Sequence, residues 1–146
     1  MKKHQMTSFY LEALLLVVVF VAMILVLTEV FGAARVQSAA AQQLTRAVTL
    51  AANAAEAVSA AQSPEQAAAL LDEGGNVRLV NGQIEAGYRT DGSPCAEDAV
   101  LLVTVSFEPE AQNPALVTSR ITVFTADGET PIYTLETAHF GKEAAA

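Results

Sequence analysis

The sequence predicts an α+β fold in which a long amino-terminal helix, half in a membrane and half amphipathic, packs on a small antiparallel sheet of four or five strands. Three observations carry that prediction. Residues 13–27, ALLLVVVFVAMILVL, hold no polar side chain. Between Ser8 and Ala61 there is no proline and a single glycine, Gly32, so nothing punctuates a helix there. After Gly74 and Gly75 the apolar spacing changes from three or four residues to two, the period of a strand.

Taken in order, residues 1–7, MKKHQMT, are polar and basic and read as a cytoplasmic leader. Residues 8–34 form the membrane half of the helix. A secretory signal also begins basic, but its apolar core is shorter and ends at a small-residue cleavage site; here the apolar run continues into further helix. Lys2 and Lys3 before the span, with an acidic region after it, place the amino terminus in the cytoplasm and the carboxy-terminal domain outside.

Residues 35–62 form the amphipathic half. Val36, Ala40, Leu44, Ala47, Ala51, Ala55 and Val58 recur at steps of three or four, an apolar stripe on one helix face. The two halves make one helix of roughly 80 Å at 1.5 Å per residue.

Residues 63–146 form the extracytoplasmic domain. Ser63-Pro64-Glu65-Gln66 starts a short second helix, with Ser63 as N-cap, Pro64 in the first turn and Gln66 placed for a capping box. Gly74 and Gly75 end it. Val77 and Leu79, then Asn81-Gly82, then Ile84, Ala86 and Tyr88 read as a hairpin around a two-residue turn. Leu101, Val103, Val105 and Phe107 line one face of a third strand, and Val117, Ile121 and Val123 one face of a fourth, with Thr118, Arg120 and Thr122 opposite. Pro109 and Pro114 are expected to bracket the loop between them. Asp127-Gly128 leads to a last strand around Ile132 to Phe140. Tyr88, Phe107, Phe124, Tyr133 and Phe140 fall on strands and are expected in the core. Such a sheet needs cover on its apolar face, and the amphipathic half of the helix supplies it.

Composition excludes several functions. The formal net charge is −8, and from Val36 onward 14 acidic residues stand against five basic ones, the opposite of a nucleic-acid interface. Cys95 is the only cysteine, which excludes an intramolecular disulfide; with no basic neighbour in sequence to activate it, it reads as a passive, partly buried thiol. Asp91, Glu97 and Asp98 lack the ordered spacing of a calcium loop and read as a solvated acidic loop. His4 and His139 lie far apart, and no glycine-rich phosphate loop is present. No enzyme, no metal and no cofactor are expected.

One charge stands out. Glu12 lies just inside the apolar run, where a carboxylate is expensive and marks a contact. The basic leader, then Ser8-Phe9-Tyr10-Leu11-Glu12, then an unbroken apolar helix running into an amphipathic one, resembles the amino terminus of type IV pilins and of the pseudopilins of type II secretion and competence systems. The variant motif, with Glu29 to Arg35 and Ala54-Ala55-Glu56-Ala57, resembles the minor pseudopilin-like proteins of Gram-positive bacteria.

The resemblance implies a pilin-like fold and a structural subunit of a filament. It implies cleavage by a prepilin peptidase between Thr7 and Ser8, N-methylation of the new Ser8 amine, and a subunit contact through Glu12, the fifth mature residue. Thr7 stands where the family usually has glycine. The implied partners are other pilins or pseudopilins, the peptidase, an assembly platform protein and the lipid bilayer. The alternative is an uncleaved, signal-anchored extracytoplasmic module that binds a cell-envelope partner.

Overall fold

The computed structural model describes residues 2–110 and 113–140, with side chains described over 8–108 and 116–139. The chain divides into two compact units, Met1–Ala41 and Gln42–Ala146. The first is helical. It belongs to α1 (Lys2–Ala60), 59 residues without interruption, and its large apolar side chains are exposed on every side, from Phe9 at 70% to Phe31 at 65%.

The second unit holds the rest of α1, α2 (Pro64–Leu71) and five strands: β1 (Val77–Val80), β2 (Gln83–Tyr88), β3 (Leu101–Glu110), β4 (Asn113–Thr125) and β5 (Pro131–Phe140). The strands form one antiparallel sheet in the order β1-β2-β3-β4-β5, each pairing with its neighbour in sequence. With α1 packed on this sheet, the fold is α+β, as the change of apolar period predicts.

Local chemistry sets the boundaries. Ser63 caps α2 by accepting from the Gln66 amide at 3.3 Å. The Gln66 side chain reaches back to the Gln62 amide at 2.8 Å, one residue earlier than a standard capping box would place it. Asn81 and Gly82 both have positive φ, 52° and 80°, the pairing that a two-residue hairpin turn requires. Gly128 closes the β4–β5 turn with φ 70°, its amide donating to the Thr125 carbonyl at 2.8 Å.

The core forms where the α1 stripe meets the inner sheet face. Ala47, Leu50, Ala51, Ala54 and Val58 lie over Ile84, Ala86, Leu101, Val103, Val105, Ile121 and Val123, with Ala67 and Leu71 of α2 at the margin. Alanine on the helix allows close approach to the sheet, and the β-branched residues below fill the space.

This stripe differs from the expected one. Leu44 is 46% exposed and Val36 73%, whereas Leu50 and Ala54, outside the expected set, are buried. The Arg46 guanidinium meets the Thr90 carbonyl in the loop beyond β2, and the buried stripe begins at Ala47, leaving Leu44 one turn before it exposed.

Two further expectations are corrected. Pro109 and Pro114 do not bracket a loop: β3 continues to Glu110 and β4 begins at Asn113. Pro109 pairs with Val117 beside a register shift at Pro109/Glu110, where the interrupted ladder tolerates a residue without an N–H. Phe124 is not in the core; Val123 beside it points inward, so alternation turns Phe124 to the outer face opposite Leu102. Tyr88 is buried, Phe107 and Tyr133 pack against the core, and the Phe140 side chain lies outside the described residues.

Two buried polar residues gave no periodic signal. Asn76 is 4% exposed; its Nδ2 donates to the Gly87 carbonyl at 3.3 Å and its Oδ1 accepts from the Glu73 amide at 3.0 Å. It ties the α2–β1 turn to β2. Ser119 occupies an inward position between Val117 and Ile121, and its Oγ finds no partner among the described residues.

The domain should lose stability at both ends of the pH scale. The Ser93 hydroxyl and amide hold the Asp91 carboxyl below the ordinary 3.8, and the Thr125 hydroxyl and Glu129 amide do the same for Asp127. A depressed carboxyl adds stability above its unfolded pKa and loses it as pH falls through the folded one. Burial pushes the Tyr88 phenol above 10.0, against the opposing hydrogen bond from Asn76; its contribution is present below pH 10 and lost as pH rises through the raised value. Thermal unfolding of the full chain in detergent, followed by near-ultraviolet circular dichroism, should show a plateau with losses below about pH 4 and above about pH 10. Asp91→Asn with Asp127→Asn should flatten the acid flank, and Tyr88→Phe the alkaline one.

Candidate assembly site

Among the described residues, one helix is long and apolar enough to cross a membrane, with a mean hydropathy of 3.0 in its most apolar window. Phe9 to Phe31 spans about 34 Å at 1.5 Å per residue, against a hydrocarbon core of about 30 Å. A helix apolar around its whole circumference is a membrane span or a buried core element, and these side chains face no protein. The first unit can therefore serve as a single membrane span. The hydroxyl of Thr28 is satisfied within the helix, donating to the Ile24 carbonyl at 2.8 Å.

Ser8 and Glu12 are both exposed on α1 and four residues apart, hence one above the other on the same face. Side chains on a helix lean toward its amino terminus, so the Glu12 carboxylate leans toward Ser8. Among the described residues no ion pair or hydrogen bond reaches the Glu12 side chain. The ion pairs that do form lie on the outer sheet face, where Arg120 joins Glu136 at 2.9 Å and Glu108 at 3.6 Å. The backbone at Thr7 is helical, and its side chain lies outside the described residues. Glu29 and Arg35, at the far end of the span, are exposed.

The remaining candidates fall into place by geometry. Asp91 is engaged by Ser93, accepting from its hydroxyl at 2.6 Å and its amide at 2.9 Å. Cys95 is 8% exposed, and its thiol donates to the Glu97 carbonyl. No group of three or more His, Cys, Asp or Glu side chains among the described residues is arranged to hold a metal ion.

One feature escaped the sequence. A cavity of about 260 Å³ opens between the α1–α2 corner and the far end of the sheet, lined by Val58, Pro64, Ala67, Phe107, Val117 and His139. Its lining comes from five elements and the α1–α2 loop, which is why no local motif reveals it. His139 also carries a buried Nδ1 with no partner among the described residues. No family model matches the sequence, and no curated protein or solved structure shows significant similarity to it.

Proposed function

We propose that the chain is a minor pilin or pseudopilin, a structural subunit inserted as a single-pass precursor and added to a type IV pilus-like, type II secretion or competence filament. The observation that supports this most strongly is Glu12: a carboxylate without a partner among the described residues, at the edge of an exposed apolar helix, one turn from Ser8. A lone carboxylate in such a segment costs up to about 3 kcal/mol, and an intermolecular partner offsets that cost.

In this reading a prepilin peptidase hydrolyses the Thr7–Ser8 bond on the cytoplasmic side, and methylation follows on the new Ser8 amine. Glu12 of one subunit pairs with the Ser8 amine of a neighbour as the platform protein adds subunits from the bilayer. A buried pair of this kind serves register more than stability, because misplaced subunits leave both charges uncompensated. The outer domain stays outside the membrane, and the exposed apolar side chains of 8–34 exchange lipid for the same residues of neighbouring subunits.

A second reading, an uncleaved anchor whose outer domain binds a cell-envelope partner, draws on the His139 cavity. The two are separated by the amino terminus of the chain extracted from membranes: Ser8 for the filament subunit, an intact leader for the anchored module.

A further inference from the structure

The Glu12 contact has a counterpart at the other end of the span. Between Ser8 and Ala41 only Glu12, Glu29 and Arg35 carry charged side chains. Cleavage before Ser8 would add an α-amine, giving two cations and two anions in the order plus, minus, minus, plus. All four positions are exposed on α1.

They cannot neutralise each other fully within one helix. Glu29 and Arg35 are six residues apart, which turns them roughly 120° away from each other at 3.6 residues per turn. Two parallel helices in register would set like charge against like. An antiparallel pair would do the same, since the order reads identically from both ends and the spacings nearly match: Ser8 would face Arg35 and Glu12 would face Glu29.

A parallel pair with one helix shifted outward by four to six residues, about 6–9 Å, brings opposite charges level at both ends of the span and leaves the other two charges of each helix for further neighbours. The shifted helix brings its Ser8 amine to Glu12 of the other, and its Glu29 to Arg35 of the other. Both pairs require the same direction of shift. On one helix, however, Glu12 and Arg35 project roughly 140° apart, so they reach two different neighbours. The pattern therefore specifies a bundle with a common axial stagger and disfavours an isolated dimer.

We propose that Glu29 and Arg35 form a second intersubunit ion pair between neighbouring copies of this helix, setting the same stagger as the Ser8–Glu12 pair. This inference rests on the filament reading above. The occupant of the exposed helix face is thus a second copy of the chain, parallel and displaced.

The test uses the full chain in membranes with Cys95→Ser to remove the native thiol. Glu29→Cys and Arg35→Cys variants are co-expressed and oxidised. A 29-to-35 disulfide between copies is expected to exceed the 29-to-29 and 35-to-35 products by about fivefold or more; equal yields would overturn the stagger. Independently, Glu29→Arg or Arg35→Glu alone should reduce lysine-independent photo-cross-linking through the apolar run by about fivefold, and the two together should restore it. Loss without restoration overturns the Glu29–Arg35 pair while leaving the filament reading intact. If the unaltered chain gives no self-association at all, the Glu29–Arg35 pair between copies falls, while the filament reading falls only if co-assembly with other pilins is absent too.

Discussion

Replacing Glu12 with alanine is expected to leave membrane insertion intact and to reduce incorporation into the proposed filament. Insertion loses nothing, because taking a carboxylate out of an apolar helix lowers the cost of entering lipid. Assembly is expected to lose much more, because in the proposed pairing the neighbour's Ser8 amine is then left without its counter-charge. Breaking one side of a buried pair costs about 3 kcal/mol, on the order of a hundredfold in the contact's equilibrium constant. Glu12→Gln keeps the shape and a hydrogen-bond acceptor, so it should lose less. Membrane fractionation reads the first effect, and cross-linking to co-assembled subunits the second. Unchanged incorporation of the alanine variant would remove the pairing role from Glu12.

The second large effect lies in the sheet-bearing unit. Gly87→Ala should destabilise it by about 3 kcal/mol. A Cβ built there lies 2.5 Å from the Cys95 carbonyl oxygen and 3.0 Å from the Ala99 Cβ. Nothing nearby can yield cheaply. The Gly87 amide donates to the Asn76 carbonyl at 3.0 Å, and its carbonyl accepts from the Cys95 amide at 2.9 Å and from the Asn76 side chain. Moving the 95–99 segment away breaks the Cys95 bond and exposes the buried Cys95, and moving Gly87 instead breaks its bonds to Asn76. Gly92→Ala is the control. Gly92 has φ 86° but nothing within 4 Å of an added Cβ, so only backbone strain of about 1 kcal/mol is expected. Thermal unfolding of the two variants should separate steric overlap from conformational cost.

The fold was legible wherever period and turn chemistry agreed. The Asn81-Gly82 hairpin, the Ser63 cap and the inward face of β3 follow from residues within a few positions of one another. Misreadings arose where a distant element decides. Leu44 fits the helical stripe as well as Leu50 does, and where α1 meets the sheet determines which of them is covered. Pro109 and Pro114 mark a loop by propensity, yet a register shift lets both strands run through them. Asn76 and the His139 cavity depend on strands that sequence spacing alone does not bring together.

The assembly site is the reverse case. Ser8, Glu12, Glu29 and Arg35 are all local to one helix, so their spacing is readable directly, while the partners proposed for them belong to other molecules. Thr7 makes the processing step the point of greatest consequence: the Ser8 amine, and with it the neutrality of residues 8–41, exists only after cleavage.

That step is measured by amino-terminal sequencing and intact mass of the chain extracted from membranes of cells that carry a prepilin peptidase. A chain that begins at Ser8 with a methylated amine is the expected result. A chain that retains Met1 to Thr7 contradicts processing, leaves Glu12 without the amine it is proposed to meet, and returns the molecule to an anchored binding module.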